Sequence, residues 1–197
     1  MNNYIWPIKP KYKVAEHDKY GIRKNHYVLF KQRQHSGFDI TADFGTEVHA
    51  ISNGKVLLAE FDGTTTEGYD AFNDGYGNKI EMLNDDGRRV VYGHLSEFFV
   101  KPGDEITQGM IIGKTGCSGG SRVPHLHLEI RKTNTDETGL DNTINPLDLL
   151  PKMNLETLTE EFMQEPYASL WRILTSDNPW GFTKTDIPYS EDKEYIK

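Results

Sequence analysis

The stretch 124–130, Pro-His-Leu-His-Leu-Glu-Ile, restricts the fold more than any other part of the chain. Apolar and polar residues alternate strictly along it, which is typical of a β-strand with one buried face. The two faces differ in chemistry, with Leu126, Leu128 and Ile130 on one and His125, His127 and Glu129 on the other. Because residues i and i+2 of a strand lie about 6.6 Å apart, one imidazole can bind a metal ion while the other reaches its water. The alternative is a solvated polar face.

The remainder of the first 150 residues favours a mainly β fold. Helical periodicity is scarce there, and the 18 glycines and other turn residues separate short apolar segments. Residues 45–60 read as two short strands around a turn at Ser52-Asn53-Gly54, since Asn-Gly favours tight hairpins. A second hairpin is predicted from strands 76–83 and 88–95 around the turn 84–87, and a pair of short strands lies within 101–116. These segments predict an antiparallel sheet.

The character of the sequence changes near residue 150. Residues 155–176 show apolar residues at helical spacing, and Thr157 with Glu160 matches a capping box. Pro166 would break that helix, and the last twenty residues are aromatic and acidic. We therefore expect one β domain over residues 1–150, and a helical and extended tail over 151–197 that packs on the domain or on a partner.

Charge and cysteine content exclude several classes of protein. A net charge of −8 argues against nucleic-acid binding, which depends on neutralising phosphates with Lys and Arg. The single cysteine, Cys117, excludes an internal disulfide and a multi-cysteine zinc cluster. No segment approaches membrane-spanning length, and the first residues do not form a secretion signal. We expect a monomer that binds no nucleic acid and has no transmembrane segment.

Further candidate ligands occur upstream, in His35-Ser-Gly-Phe-Asp39. Residues four apart on a regular strand are separated by about 13 Å, so a shared ion requires the backbone to bend between them, and Gly37 permits a bend. His94 stands near the end of a predicted strand. Three other histidines are expected at the surface or at the rim of a cleft: His17, His26 and His49.

His35, Asp39 and His127 together make the ligand count of a catalytic zinc that keeps a fourth position for water. The chain has no His-Glu-x-x-His segment, so the usual glutamate base of helical zinc peptidases is missing. His94 and His125 suit that role, because imidazole titrates near physiological pH.

The order and spacing of three motifs resemble the lysostaphin/LytM-type zinc endopeptidases, which cut the peptide part of bacterial peptidoglycan. The motifs are His35-x-x-x-Asp39, Tyr92-Gly-His-Leu95 and 125–130. Residues 75–78, Gly-Tyr-Gly-Asn, and the pair Asn145-Pro146 add further matches. The likeness covers residues 5–150.

The resemblance implies a lysostaphin-like groove, of the duplicated-hybrid-motif-like type, floored by antiparallel sheet. Zinc would be held by His35, Asp39 and His127. His94 and His125 would flank the catalytic water as general base and as donor to the oxyanion, with His125 preferred as the base. The implied substrate is an amide in peptidoglycan stem or cross-bridge peptides. The enzyme would act at the bacterial cell wall, either secreted or delivered by a phage as an endolysin.

The chain departs from that family at the insertion 61–75, at Cys117 and in the tail after residue 150. Tyr69 and Phe72 in the insertion could wall a substrate cleft. Four alternatives remain: a catalytically silent module that binds or regulates wall components, a cupin-type metal protein, a lipoyl or biotinyl carrier, and a cysteine hydrolase using Cys117. Cupin ligand spacing and a carrier lysine at the hairpin tip are both missing.

Overall fold

A computed structural model describes residues 4–10, 19–22, 34–62, 75–121, 123–133 and 135–153. These residues form eleven strands and one short helix: β1 Gly21–Ile22, β2 Gln34–His35, β3 Phe38–Thr41, β4 Glu47–His49, β5 Gly54–Asp62, β6 Gly77–Asn84, β7 Arg89–Phe98, β8 Glu105–Ile106, β9 Ile111–Thr115, β10 His125–Arg131, β11 Thr143–Ile144 and a 3-10 helix Pro146–Asp148. The predicted helix at 155–176, the insertion aromatics Tyr69 and Phe72, and His17 and His26 lie outside the described residues.

Nine of the strands form a single antiparallel sheet. Its main order is β11-β10-β7-β6-β5-β8, with β3 also paired to β10 and with β9 joining β7 to β4. β1 and β2 form a separate two-stranded antiparallel sheet. The prediction of a mainly β, antiparallel fold is confirmed.

β10 lies in the interior of the sheet, where it pairs with β3, β7 and β11. Its apolar residues Leu126, Leu128 and Ile130 are fully buried in the core. The first described segment packs on this core, because Tyr4 and Ile8 are buried in it. Residues 4–10 therefore contribute to the core of the domain.

The alternative of a solvated polar face on β10 is wrong. On the polar face His127 is 6% exposed and Glu129 is 0% exposed. Side chains from outside β10, including Ser36 and Tyr76, cover this face and form hydrogen bonds with Glu129. Alternation in sequence separates the two faces of the strand correctly, but it does not distinguish solvent from a second, polar layer of protein.

The hairpin β6–β7 forms as predicted. Asn84 and Gly87 close its turn through a backbone bond of 2.9 Å, and Gly87 takes the positive φ of 81° that glycine tolerates. β7 continues to Phe98, however, so His94 lies inside the strand and not at its end.

The hairpin predicted around Asn53-Gly54 does not form, although both of its strands do. β4 pairs with β9, and β5 pairs with β6 and β8. Gly54 lies against the backbone of Leu83 and Asn84, where a Cβ atom would clash. The glycine therefore serves close strand packing and not a tight turn.

Within the described part of the chain, no helix has the length and apolar character needed to cross a bilayer.

Candidate metal centre

The sheet brings the predicted ligands together from distant parts of the chain. Asp39 on β3 is the register partner of His127 on β10, and His127 is in turn the partner of Gly93 on β7. His35 ends β2, four residues before Asp39. The three candidate ligands are buried, each at 9% exposure or less.

The donor atoms of these three side chains form a small triangle. His35 Nε2 lies 3.1 Å from Asp39 Oδ1 and 3.2 Å from His127 Nδ1, and the last two atoms are 2.8 Å apart. Tetrahedral zinc with ligand bonds near 2.0–2.1 Å places its donors about 3.3 Å from one another. The triangle is thus the right size for three corners of such a site.

A hydrogen bond at Nδ1 of His35 favours the tautomer that can bind a metal ion through Nε2. His35 Nδ1 donates to the carbonyl oxygen of Lys19 at 2.9 Å, which leaves Nε2 with its lone pair toward the triangle. Burial alone would raise the pKa of Asp39, but the imidazoles of His35 and His125 hold it well below its usual range. Asp39 is therefore a carboxylate, and two imidazoles with one carboxylate fit zinc.

The backbone bend between His35 and Asp39 is present, but Gly37 has a different role from the one expected. Gly37 does not take a positive φ. A Cβ atom at this position would lie 2.5 Å from Cε1 of His127 and 2.6 Å from the carbonyl oxygen of Leu128. Glycine is required here because the imidazole of His127 packs directly on its backbone.

His125 extends toward the same centre. Its Nδ1 donates to the Val123 carbonyl at 2.9 Å and lies 3.1 Å from Ser121 Oγ. That bond leaves Nε2 unprotonated in the neutral ring, and Nε2 lies 3.7 Å from Asp39 Oδ1.

His94 reaches the site through an unusual backbone conformation. Gly93 lies on the same face of the sheet as His127, so strict alternation would place the His94 side chain on the other face. His94 instead has a φ of 61°, next to a shift in the β6–β7 register, and its side chain lies on the face of the site. The centroid of the His94 ring lies 4.6 Å from the centroid of the His125 ring and 5.8 Å from that of the His127 ring. Positive φ is rare outside glycine, and strain of this kind concentrates at functional sites.

Two contacts hold His94 in place. Its backbone N–H donates to the Tyr76 carbonyl at 2.7 Å, and its Nδ1 donates to the Ser118 carbonyl at 2.8 Å. Burial and the neighbouring imidazoles of His125 and His127 hold the pKa of His94 well below its usual value. Its ring is therefore neutral near pH 7, with Nε2 as the acceptor.

The sequence analysis missed a second group of residues behind His127. Glu129, fully buried on the same face of β10, accepts hydrogen bonds from three hydroxyls and one guanidinium: Ser36, Tyr76, Thr138 and Arg131. One feature of the sequence indicates this group: Glu129 and Arg131, an acidic and a basic residue, stand two positions apart on the polar face of the strand.

The remaining candidates do not join the centre. His49 is partly buried and its Nδ1 donates to the Gly109 carbonyl at 2.9 Å, which agrees with a position outside the ligand set. Burial raises the pKa of the Cys117 thiol to about 11, so the sulfur is protonated at neutral pH. A thiol in that state is a poor nucleophile, which argues against the cysteine-hydrolase alternative.

Three protein donors that leave a fourth position open are characteristic of catalytic zinc sites. Residues 33–142 match the model of peptidase family M23. The chain therefore belongs to peptidase family M23, and the resemblance seen in its motifs is confirmed.

Two curated relatives illustrate the match. The glycyl-glycine endopeptidase ALE-1 of Staphylococcus capitis is 44% identical over 102 residues, which are 51% of this chain and 25% of that protein. The peptidoglycan DD-endopeptidase ShyA of Vibrio cholerae is 27% identical over 126 residues, 64% of this chain and 26% of that protein. The matched region thus spans about a quarter of each relative.

A solved structure shares the fold. The catalytic domain of the antimicrobial peptidase lysostaphin from Staphylococcus simulans superposes with a TM-score of 0.54 and 32% identity, covering 70% of this chain and 90% of that domain. The predicted lysostaphin-like architecture is confirmed.

Proposed function

We propose that this chain is a zinc-dependent endopeptidase that hydrolyses amide bonds in the stem or cross-bridge peptides of bacterial peptidoglycan. His35, Asp39 and His127 would hold the metal, and His94 and His125 would act on the reacting groups. The observation that carries the proposal is the convergence of three ligating atoms within 3.2 Å of one another, with two more imidazoles beside them. Bound zinc would supply a Lewis acid that acidifies a water molecule and polarises a carbonyl oxygen.

We assign His125 as the proton acceptor. Its Nδ1–H is fixed by the Val123 carbonyl, so Nε2 carries the lone pair. Nε2 lies 3.7 Å from Asp39 Oδ1, and so beside the candidate ligands, where it can take up a proton. The ring can then return this proton to the leaving amine.

We assign His94 to orienting the water or the substrate. The Ser118 carbonyl holds its Nδ1–H. Nε2 is therefore left to accept a hydrogen bond from a water molecule or from the substrate. Donation to the oxyanion, the alternative role, requires a protonated ring, which burial between two other imidazoles disfavours. The strained backbone of His94 holds the ring in this position before substrate arrives.

The test is digestion of purified peptidoglycan by the full chain, followed by mass spectrometry of the released fragments. Walls with glycyl cross-bridges and walls with direct D-alanyl cross-links should both be used, because the names of the two relatives point to different bonds. We expect digestion to produce new amino termini, a chelator to stop their formation, and added zinc to restore it. Binding to the wall without release of fragments would support the silent-module alternative.

Variants separate metal binding from proton transfer. His35→Ala and Asp39→Ala are expected to lose both zinc and activity. His125→Ala is expected to keep zinc and lose activity by a factor of about 100 or more, the usual contribution of a general base. A fully active His125→Ala variant would show that the assignment of His125 is wrong.

A further inference from the structure

We propose that Glu129 is a positioning residue for the metal centre. Its buried carboxylate keeps the hydrogen of His127 on Nε2 and thereby directs the lone pair of Nδ1 to the metal. The inference rests on the proposed function, because it concerns the same zinc site.

The ring of His127 has two distinct sides. Nδ1 faces Asp39 at 2.8 Å and His35 at 3.2 Å. Nε2 is buried and has no hydrogen-bond partner among the described residues, and it lies 3.8 Å from Oε2 of Glu129. A carboxylate at this distance attracts an N–H and repels a lone pair. Once Nδ1 gives its lone pair to a metal ion, Glu129 therefore stabilises the form of the ring with hydrogen on Nε2.

The orientation of the ring is fixed by packing. Gly37 lies against Cε1 and Nε2, where a Cβ atom would clash, and the ring of Tyr76 lies 5.4 Å away between centroids. Gly93 leaves room for both, since a Cβ there would lie 3.4 Å from Cβ of His127 and 3.3 Å from the Tyr76 ring. The ring therefore keeps Nε2 toward Glu129.

Glu129 is itself held firmly. Arg131 Nε donates to its Oε1 at 2.8 Å, while Tyr76 Oη and Thr138 Oγ1 donate to its Oε2 at 2.8 and 2.9 Å. A buried ion pair contributes little net stability compared with apolar packing. The position of this carboxylate beside a ligand points to a role in the site beyond fold stability.

The same network supplies a matched control. Arg131 also binds Glu81 at 3.2 Å, and Glu81 binds Arg89 at 2.7 Å. Glu81 is 2% exposed and stands on β6, two strands from the β10 strand that carries His127. Glu81→Gln thus removes one buried charge from the network without changing the neighbour of His127.

The experiment compares zinc affinities of the full chain, measured by competition with a chelating dye. Loss of a carboxylate behind a ligating histidine weakens metal binding by about 10–100-fold. We expect Glu129→Gln to bind zinc that much more weakly, Glu81→Gln to bind close to wild type, and Glu129→Asp to recover part of the loss. Equal zinc affinity in Glu129→Gln and Glu81→Gln would overturn the proposal.

A second measurement needs no variant. In the zinc-loaded wild-type chain, nitrogen NMR of the histidine rings should show hydrogen on Nε2 of His127 and metal on Nδ1. Metal on Nε2 would overturn the positioning role even if Glu129→Gln fails to fold. If the wild-type chain binds no zinc at all, the proposed function fails as well, whereas tight zinc binding that ignores Glu129 contradicts this inference alone.

Discussion

The residue type at a position in the metal centre depends on packing contacts as much as on chemistry. Gly37 illustrates this, because His127 packs so closely on it that any side chain would displace the imidazole or the backbone of Leu128. The ligand set depends on this small residue.

Gly37→Ala is therefore expected to destabilise the fold by about 1–3 kcal/mol, the cost of overpacking a filled core, and to weaken zinc binding. Urea unfolding and zinc titration measure the two effects. Gly120→Ala is the control, since a Cβ there meets no atom closer than 3.4 Å. Normal zinc affinity in Gly37→Ala would show that the ring of His127 can shift without loss.

Cys117 lies near His125 in sequence, but the raised pKa of its thiol argues against a role as nucleophile. Because burial raises the pKa of its thiol to about 11, the thiolate is scarce below pH 9. We expect Cys117→Ser to keep wild-type activity, and the folded protein to react slowly with iodoacetamide at neutral pH. Loss of hydrolysis in Cys117→Ser with zinc still bound would reopen the cysteine-nucleophile alternative.

The sequence motifs predicted a site made of His35, Asp39, His94, His125 and His127, and the structure brings these five side chains close together. The roles assigned to them stay predictions. The hydroxyl partners of Glu129 were missed because Ser36, Tyr76 and Thr138 come from three separate segments. The local sequence of a strand does not show which residues from other segments cover its faces.

At the scale of elements, β10 combines an apolar face with a face of ordered charges. The charged row runs from His127 through Glu129 to Arg131 and on to Glu81 of β6. Short-range signals located the strands, but strand pairing depends on contacts distant in sequence. That is why the β6–β7 hairpin was predicted correctly and the hairpin at Asn53-Gly54 was not.

Glu129, in the charged row, predicts that the stability of the fold depends on pH. Burial raises the pKa of Glu129, but the His127 ring, the Ser36 hydroxyl and the Arg131 guanidinium outweigh it and lower the pKa from 4.5 to about 2. A carboxylate with a lowered folded pKa stabilises the fold above its unfolded pKa and loses this contribution as pH falls. Relative to the protonated carboxyl, the ionised carboxylate contributes about 3 kcal/mol, which is lost between pH 4.5 and 2.

Urea unfolding of the metal-free protein tests this dependence. The difference in free energy of unfolding between wild type and Glu129→Gln is expected to shrink as pH falls from 5 toward 2. Glu81→Gln serves as the comparison from the same row. A difference that stays constant over this range would mean that Glu129 is not ionised with a lowered pKa in the folded state.

At the scale of the whole molecule, the described residues up to 153 contain the sheet, its core and the metal centre. The domain boundary predicted at residue 150 stays a prediction, and two observations show that packing on the domain continues to residue 151. Leu150 is buried in the core, and Trp6 Nε1 donates to the Pro151 carbonyl at 3.0 Å. The last residues of the domain thus pack against its first.

Truncation tests where the domain ends. We expect a chain that stops after residue 153 to keep zinc affinity and to unfold within a few degrees of the full chain. A chain that stops after Asn145 loses Leu147, Leu149 and Leu150 from the core and is expected to unfold at a much lower temperature. A 1–153 chain that binds no zinc would show that the tail is part of the functional domain.

We propose that one zinc ion is held by two imidazoles and a carboxylate from three strands. An anomalous difference map recorded at the zinc edge, from crystals of the zinc-loaded chain, would show this coordination. We expect a single peak within bonding distance of His35 Nε2, Asp39 Oδ1 and His127 Nδ1. A peak bound by other side chains, or no peak between these three atoms, would contradict it.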